Sequence, residues 1–212
     1  MSELGYPTNV QINSDASHYN ELVLVINQIM GRIATNTLVK VMAVTNDGGV
    51  DPVGTVDVQP CVNQIDGQGN ATAHGTIYQI PYVRIQGGDN AIIIDPKVGD
   101  IGWAGFCSTD ISAVKSTKDI ANPGSRRRYD WADGIYLGAV LGDAPTQYIQ
   151  FNDDGITIVS TATITVQADH VTVVSDDVSL GDKGGPAVAR VGDTVDLSSG
   201  LITSGSDKVT AA

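Results

Sequence analysis

The sequence predicts a mainly β, extended protein: an N-terminal helix, an OB-like β-barrel, then an intertwined trimeric β-helix or β-prism stem that ends in a tapered tip. Three observations carry that prediction. Val, Ile and Thr are abundant, 24 glycines punctuate the chain and aromatics make up only 5% of it, the composition of short strands and many turns around a thin core. Residues 37 to 107 hold a string of short β-branched runs separated by Gly-rich breaks. From Tyr148 to Leu180, finally, Ile156, Ile164, Val171 and Val178 each open a β-type run, seven or eight residues apart, with Asp-, Gly- or Ala-bearing breaks between them.

Residues 1–36 form the first segment. Residues 1 to 14 read as an irregular arm. From about Asp15 to Ile33 the apolar residues Leu22, Val25, Ile26, Ile29, Met30 and Ile33 fall at helical spacing, with Ser14 or Asp15 available as N-cap and Gly31 near the end. Val23 and Leu24 widen the stripe. Such a helix lies across a β-barrel or packs against copies of itself; its polar face lacks the Lys and Arg run of a membrane-surface helix.

Residues 37–110 supply the barrel. TLVKVMAVT, GTVDVQP, TIYQIPYVRIQG, NAIIID and GDIGWAGFC are five strand-like runs, and Asp95 to Asp100 makes a turn in which Pro96 fixes φ and Gly99 permits a positive φ. Residues 111–147 read as a connector that contains a short polar helix or loop and the chain's one basic run, Arg126-Arg127-Arg128. In so acidic a chain these guanidinium groups are expected to pair with carboxylates such as Asp130 and Asp133. Trp131 beside them reads as a packing anchor.

Residues 148–180 are the stem. An isolated segment this thin cannot cover the apolar face of its own strands, and a second copy of the same chain is the simplest cover. The inward candidates are Ile156, Ile158, Ile164, Val166, Val171, Val173 and Val178. Residues 181–212 are rich in small side chains, which lets chains converge about an axis and predicts the tip.

Charge and missing motifs narrow the function. A net charge of −12 opposes binding to phosphate backbones, and Lys40, Arg84 and Lys97 are too scattered to track one, so no nucleic-acid partner is expected. No basic-then-apolar leader opens the sequence and no apolar run is long enough to span a membrane as a helix, which predicts assembly in cytoplasm. Cys61 and Cys107 read as free or buried thiols. His18, His74 and His170 neighbour no Ser or Cys elbow, and Asp153-Asp154 and Asp176-Asp177 sit where corners belong, so no enzyme is expected. No phosphate-cradling Gly motif is present. His170 shares strand parity with Ile164 and Val166, which makes it the candidate metal ligand on a threefold axis; with no second His on its face, the expectation is that no cofactor is bound.

The order of parts is itself informative. A barrel that includes VGDIGWAGFC, a connector with NPGSRRRYDWADGIYLG, a β-repeat stem and a C-terminal ARVGDTV…GLITSGSDKV segment together resemble the central spikes of contractile-tailed bacteriophages, the baseplate-spike family of the P2 and Mu type. The resemblance covers about residues 37 to 212. It implies a homotrimer at the virion tail tip, with the OB-like domains docked on the baseplate hub at the end of the tail tube. Sheath contraction would drive the needle through the bacterial outer membrane. Relatives often carry a His-x-His pair near the tip that holds an iron ion, whereas here the sequence is His170-Val171-Thr172, with no His beyond it. The segment Ala189, Arg190, Val191, Gly192, Asp193 and Val195 is then expected to build a metal-free apex. Competing readings are a receptor-binding tail fibre or trimeric adhesin, a short tailspike depolymerase, and the spike of a phage-tail-like bacteriocin.

Overall fold

The computed structural model describes residues 17–65, 68–180, 188–189, 192–205 and 209–211, and the chain divides into two units at the Ala144–Pro145 junction. The protein is mainly β, as the composition predicts.

In the first unit, α1 (His18–Met30) follows the predicted apolar periodicity. Its N-cap is Ser17, whose extended backbone lets Oγ accept the Asn20 N–H at 3.3 Å. The expected caps, Ser14 and Asp15, lie outside the described residues. None of the residues of α1 is buried.

The strands that follow are β1 (Asn36–Val44), β2 (Thr55–Pro60), β3 (Gln64–Ile65), β4 (Ala71–Thr72), β5 (Ile77–Pro81), β6 (Ile85–Gly87), β7 (Asn90–Ile92) and β8 (Ile101–Phe106). After a short helix α2 (Ser112–Thr117) and a 3₁₀ turn (Trp131–Asp133) comes β9 (Gly134–Leu141). Five of these strands make one antiparallel sheet in the order β5-β2-β1-β8-β9, while β3–β4 and β6–β7 are separate hairpins. The two outer strands of the large sheet approach each other as well. A parallel bridge joins Tyr82, just past β5, to Tyr136 of β9, and the Val83 N–H donates to the Tyr136 carbonyl at 2.9 Å.

Strand alternation explains the core. In β1, Val39 and Val41 are fully buried while Lys40 and Met42 point out; in β2, Val56, Val58 and Pro60 point in. Val39 lies opposite Pro60, and Val41 opposite Val58. Ile77 and Ile80 of β5 are both buried although three apart, a spacing that would ordinarily put them on opposite faces. Gln79 resolves the conflict: its φ of +55° resets the parity, and its N–H donates to Asp57 Oδ1 at 2.9 Å. Tyr82, Ala104 and Tyr136 complete the core, and Phe106 and Trp131 pack on it edge to face at 4.8 Å between ring centres. Gly102 is required where it stands, because a Cβ there would collide with the Gly138 carbonyl and the Tyr136 ring.

The large sheet departs from the sequence expectation in one respect. Its fifth strand is β9, from the stretch read as connector, whereas two of the predicted strand runs, TIYQIPYVRIQG and NAIIID, contribute the outlying β6–β7 hairpin.

In the second unit, β10 (Tyr148–Asn152) and β11 (Gly155–Val159) form an antiparallel hairpin, turned by Asp153 and Asp154, with Gly155 at φ +129°. Further on, β12 (Val178–Leu180) pairs in parallel with β15 (Val209–Ala211), and β13 (Val195–Asp196) pairs antiparallel with β14 (Leu201–Ile202). The strands expected to open at Ile164 and Val171 are not strands within one chain. Among the described residues, no backbone group between 160 and 177 bonds to another backbone group, so these stretches lack a partner to form a ladder with.

Candidate functional site

The hairpin register sorts the stem residues by face. Ile149 lies opposite Ile158, and Phe151 opposite Ile156, which gathers all four on one side. The other side carries Gln150, Asn152 and Thr157, together with the pair Tyr148 and Val159 at the open end. Every one of the four apolar side chains is more than half exposed. A lone two-stranded hairpin is marginally stable in water, and one whose apolar face is wet is less so. Fully burying a side chain of this size contributes about 2 kcal/mol, which makes this face a strong candidate for an interface.

The apolar character continues along the chain. Ile164 and Val166 alternate with polar neighbours, Val171 and Val173 flank Thr172 and are followed by Val174, and all are exposed. Of the predicted stem positions, the structure brings Ile156 and Ile158 together on one face of β11 and places Val178 at the start of β12. Ile164, Val166, Val171 and Val173 lie in the segment that has no strand partner among the described residues. His170 is exposed in the same unpaired segment, and among the described residues no group of three or more His, Cys, Asp or Glu side chains stands together.

At the predicted tip, Arg190 and Val191 lie outside the described residues. Ala189 is exposed, Gly192 has φ +99°, Asp193 is half-buried and Val195 pairs with Ile202 in the β13–β14 hairpin. Asp196 organises the turn of that hairpin. Its carboxylate accepts the Ser198 N–H at 2.9 Å and the Ser198 and Ser199 hydroxyls at 2.7 Å each. These bonds hold its pKa down at about 2.

Two ion networks tie the first unit together. Arg127 grips Asp133 with two bonds of 2.7 Å, from Nε and a terminal nitrogen, and reaches Asp110 at 2.8 Å. Asp110 also accepts the Ser125 hydroxyl at 2.7 Å and the Ser112 N–H at 2.8 Å, and hydrogen bonds from Ser112 and Ser125 lower its pKa to about 2. Asp133 accepts the Ile111 N–H at 3.0 Å, and the Arg127 hydrogen bonds lower its pKa. The expected pairing of the basic run thus falls on Arg127 alone. Asp130 instead caps the 3₁₀ turn, accepting the Ala132 N–H at 2.9 Å, and Arg126 and Arg128 are exposed.

The second network is Tyr82–Asp95–Arg84. Asp95 Oδ1 accepts from the Tyr82 hydroxyl at 2.6 Å and from Arg84 at 2.7 Å, and Oδ2 accepts the Gly48 N–H at 3.1 Å. Burial alone would raise the Asp95 pKa; the bonds from Tyr82 and Arg84 outweigh it and hold it down. An open cleft of about 530 Å³ beside this network is lined by Val44, Asp47, Ile94, Asp95 and Lys97. Both oxygens of Asp95 are already bonded, so the cleft offers no free acid or base from that residue. Cys61 and Cys107 are free thiols.

The sequence reading missed Ile149 and Phe151 as stem-face residues, although the alternation in Tyr-Ile-Gln-Phe-Asn carries the signal. Nothing in the sequence pairs Asp110 with Arg127. Compared with known protein families and with curated proteins, the chain matches none.

Proposed function

We propose that this chain is one third of a trimeric central spike at the tip of a contractile phage tail, which docks on the baseplate hub and pierces the host outer membrane when the sheath contracts. The observation that carries the reading is the stem: a hairpin whose apolar face is more than half exposed, followed by a segment with recurring apolar residues and no backbone partner among the described residues. Copies of the same chain satisfy both needs at once, supplying apolar cover and strand edges, and an intertwined shaft leaves no free edge to unzip.

The first unit fits the collar of such a spike. Numbered by the five strands of the large sheet, its order is third-second-first-fourth-fifth, and the parallel Tyr82–Tyr136 bridge joins third to fifth. That connectivity is what a Greek-key, OB-type barrel would have, and it supports that reading. The chain acts by stiffness and shape in this reading, with no catalytic step and no bound cofactor.

Mass in solution tests the trimer: the expected value is three times 22.1 kDa, persisting in mild SDS. A monomer would rule the spike out. A receptor-binding fibre or adhesin is separated by adding labelled protein to whole bacteria, since an adhesin is retained on cells whereas a spike, held by its hub, is not.

A further inference from the structure

We infer that α1 is a second self-association element, in which the helices of three copies pack along one seam. The inference rests on the trimer proposed above and goes beyond it, because the resemblance to phage spikes begins only after this helix.

Among the described residues no side chain of the helix is buried: Leu22, Ile26 and Ile29 are each about half exposed or more, while Asn20, Val23 and Leu24 are partly covered. An isolated helix of 13 residues is marginal in water, so its stability must come from packing. Its apolar residues fit a heptad with Tyr19 and Ile26 at a, and Leu22 and Ile29 at d. Val23, Val25 and Met30 occupy the flanking e and g positions, while Asn20, Glu21, Leu24, Asn27 and Gln28 lie outside. Such a seam fits an identical seam, and in the second heptad Ile26 at a and Ile29 at d are the pairing that favours three or four strands over two.

Charge points the same way. The whole chain carries −12, which opposes self-association, yet the seam and its flanks from Tyr19 to Met30 contain no charged residue. Area sets the scale. A helix of about 20 Å cannot bury the roughly 800 Å² per partner of a stable interface. It therefore associates only in chains already joined by the stem, where the local concentration of helices is in the millimolar range.

Cysteine cross-linking of the full chain, with Cys61→Ser and Cys107→Ser in place, tests this. Under mild oxidation Ile26→Cys should give a linked pair of chains at least tenfold more efficiently than Gln28→Cys, in particles of trimer mass. A trimer in which the two variants link equally, or neither links, overturns the inference but leaves the spike standing; the face would then belong to another protein such as the hub. A monomer overturns both. Hydrogen exchange gives a second readout without new cysteines. The α1 amides should exchange at least tenfold faster in Ile26→Asp/Ile29→Asp, a variant expected to remain trimeric, than in the unaltered protein. Equal exchange would also overturn the inference.

Discussion

Phe151 and Ile156 face each other directly across the β10–β11 hairpin, 75% and 65% exposed, with Ile149 and Ile158 beside them on the same side. The opposite side carries the polar Gln150, Asn152 and Thr157, with Tyr148 and Val159 at its open end. The asymmetry is that of a strand pair with one dry and one wet face, seen without whatever keeps it dry.

Placing a charge on that face should therefore prevent assembly. Phe151→Asp and Ile156→Asp are expected to yield chains of monomer mass, because a carboxylate buried at an interface without a partner costs several kcal/mol. Thr157→Asp, on the polar side of the same strand, should leave the mass at that of the trimer. Light scattering of the three variants decides the matter; a trimer that tolerates Ile156→Asp would show that this face is not the interface.

A second expectation concerns the backbone. Amides between 162 and 175 have no backbone acceptor within their own chain among the described residues. In an intertwined stem they bond to neighbouring copies, so they should exchange slowly in native protein, with slowing of at least a hundredfold. Exchange at the rate of an unstructured peptide, in a particle of trimer mass, would mean that the segment does not contribute strands to the shaft.

The same segment shows what could be read in the sequence and what could not. Alternation at Val39/Val41 and Val56/Val58 announced half-buried strands, and the structure uses them so. Spacing at Leu22, Ile26 and Ile29 announced a helix. The strands expected at Ile164 and Val171 have the right composition, yet ladder formation depends on a partner edge that the described residues of one chain do not supply. Ile77 and Ile80 were illegible for another reason: their common burial depends on the left-handed backbone of Gln79, which no side-chain pattern encodes. The Arg127–Asp110 contact joins residues 17 apart through a loop path, so charge pairing was foreseeable in kind but only Asp133 was foreseeable by position.

Within the first unit, packing makes two neighbouring residues differ sharply in their tolerance of change. Gly102→Ala would drive a Cβ into the Gly138 carbonyl, a backbone atom that cannot rotate away, and should destabilise the unit by about 3 kcal/mol. The Tyr136 hydroxyl is buried with no protein partner, and burial pushes its pKa up to about 12. Removing it in Tyr136→Phe should change stability by less than about 1 kcal/mol. Ile80→Ala, which empties a fully buried site, supplies the reference at about 2–5 kcal/mol. Denaturant unfolding of the three variants tests the order; a strongly destabilised Tyr136→Phe would mean that the hydroxyl is bonded after all.

Acid should attack the first unit through its carboxylates. Asp110 is held at about 2, below its ordinary 3.8, first by its hydrogen bonds to Ser112 and Ser125; Asp133 and Asp95 are held below theirs as well. A carboxylate whose folded pKa lies below its unfolded one stabilises the fold fully above the unfolded value and loses that contribution as pH falls toward the folded value. Thermal stability of the unit should thus be flat from pH 7 to 5 and fall between about 4 and 2. Ser125→Ala removes one of the bonds that depress Asp110 and should raise the lower end of that window, while Arg127→Lys, which loses the two-pronged grip on Asp133, should lower stability across the whole neutral range. A melting temperature that does not change between pH 5 and pH 2 would show that these carboxylates are not selectively stabilised in the folded chain.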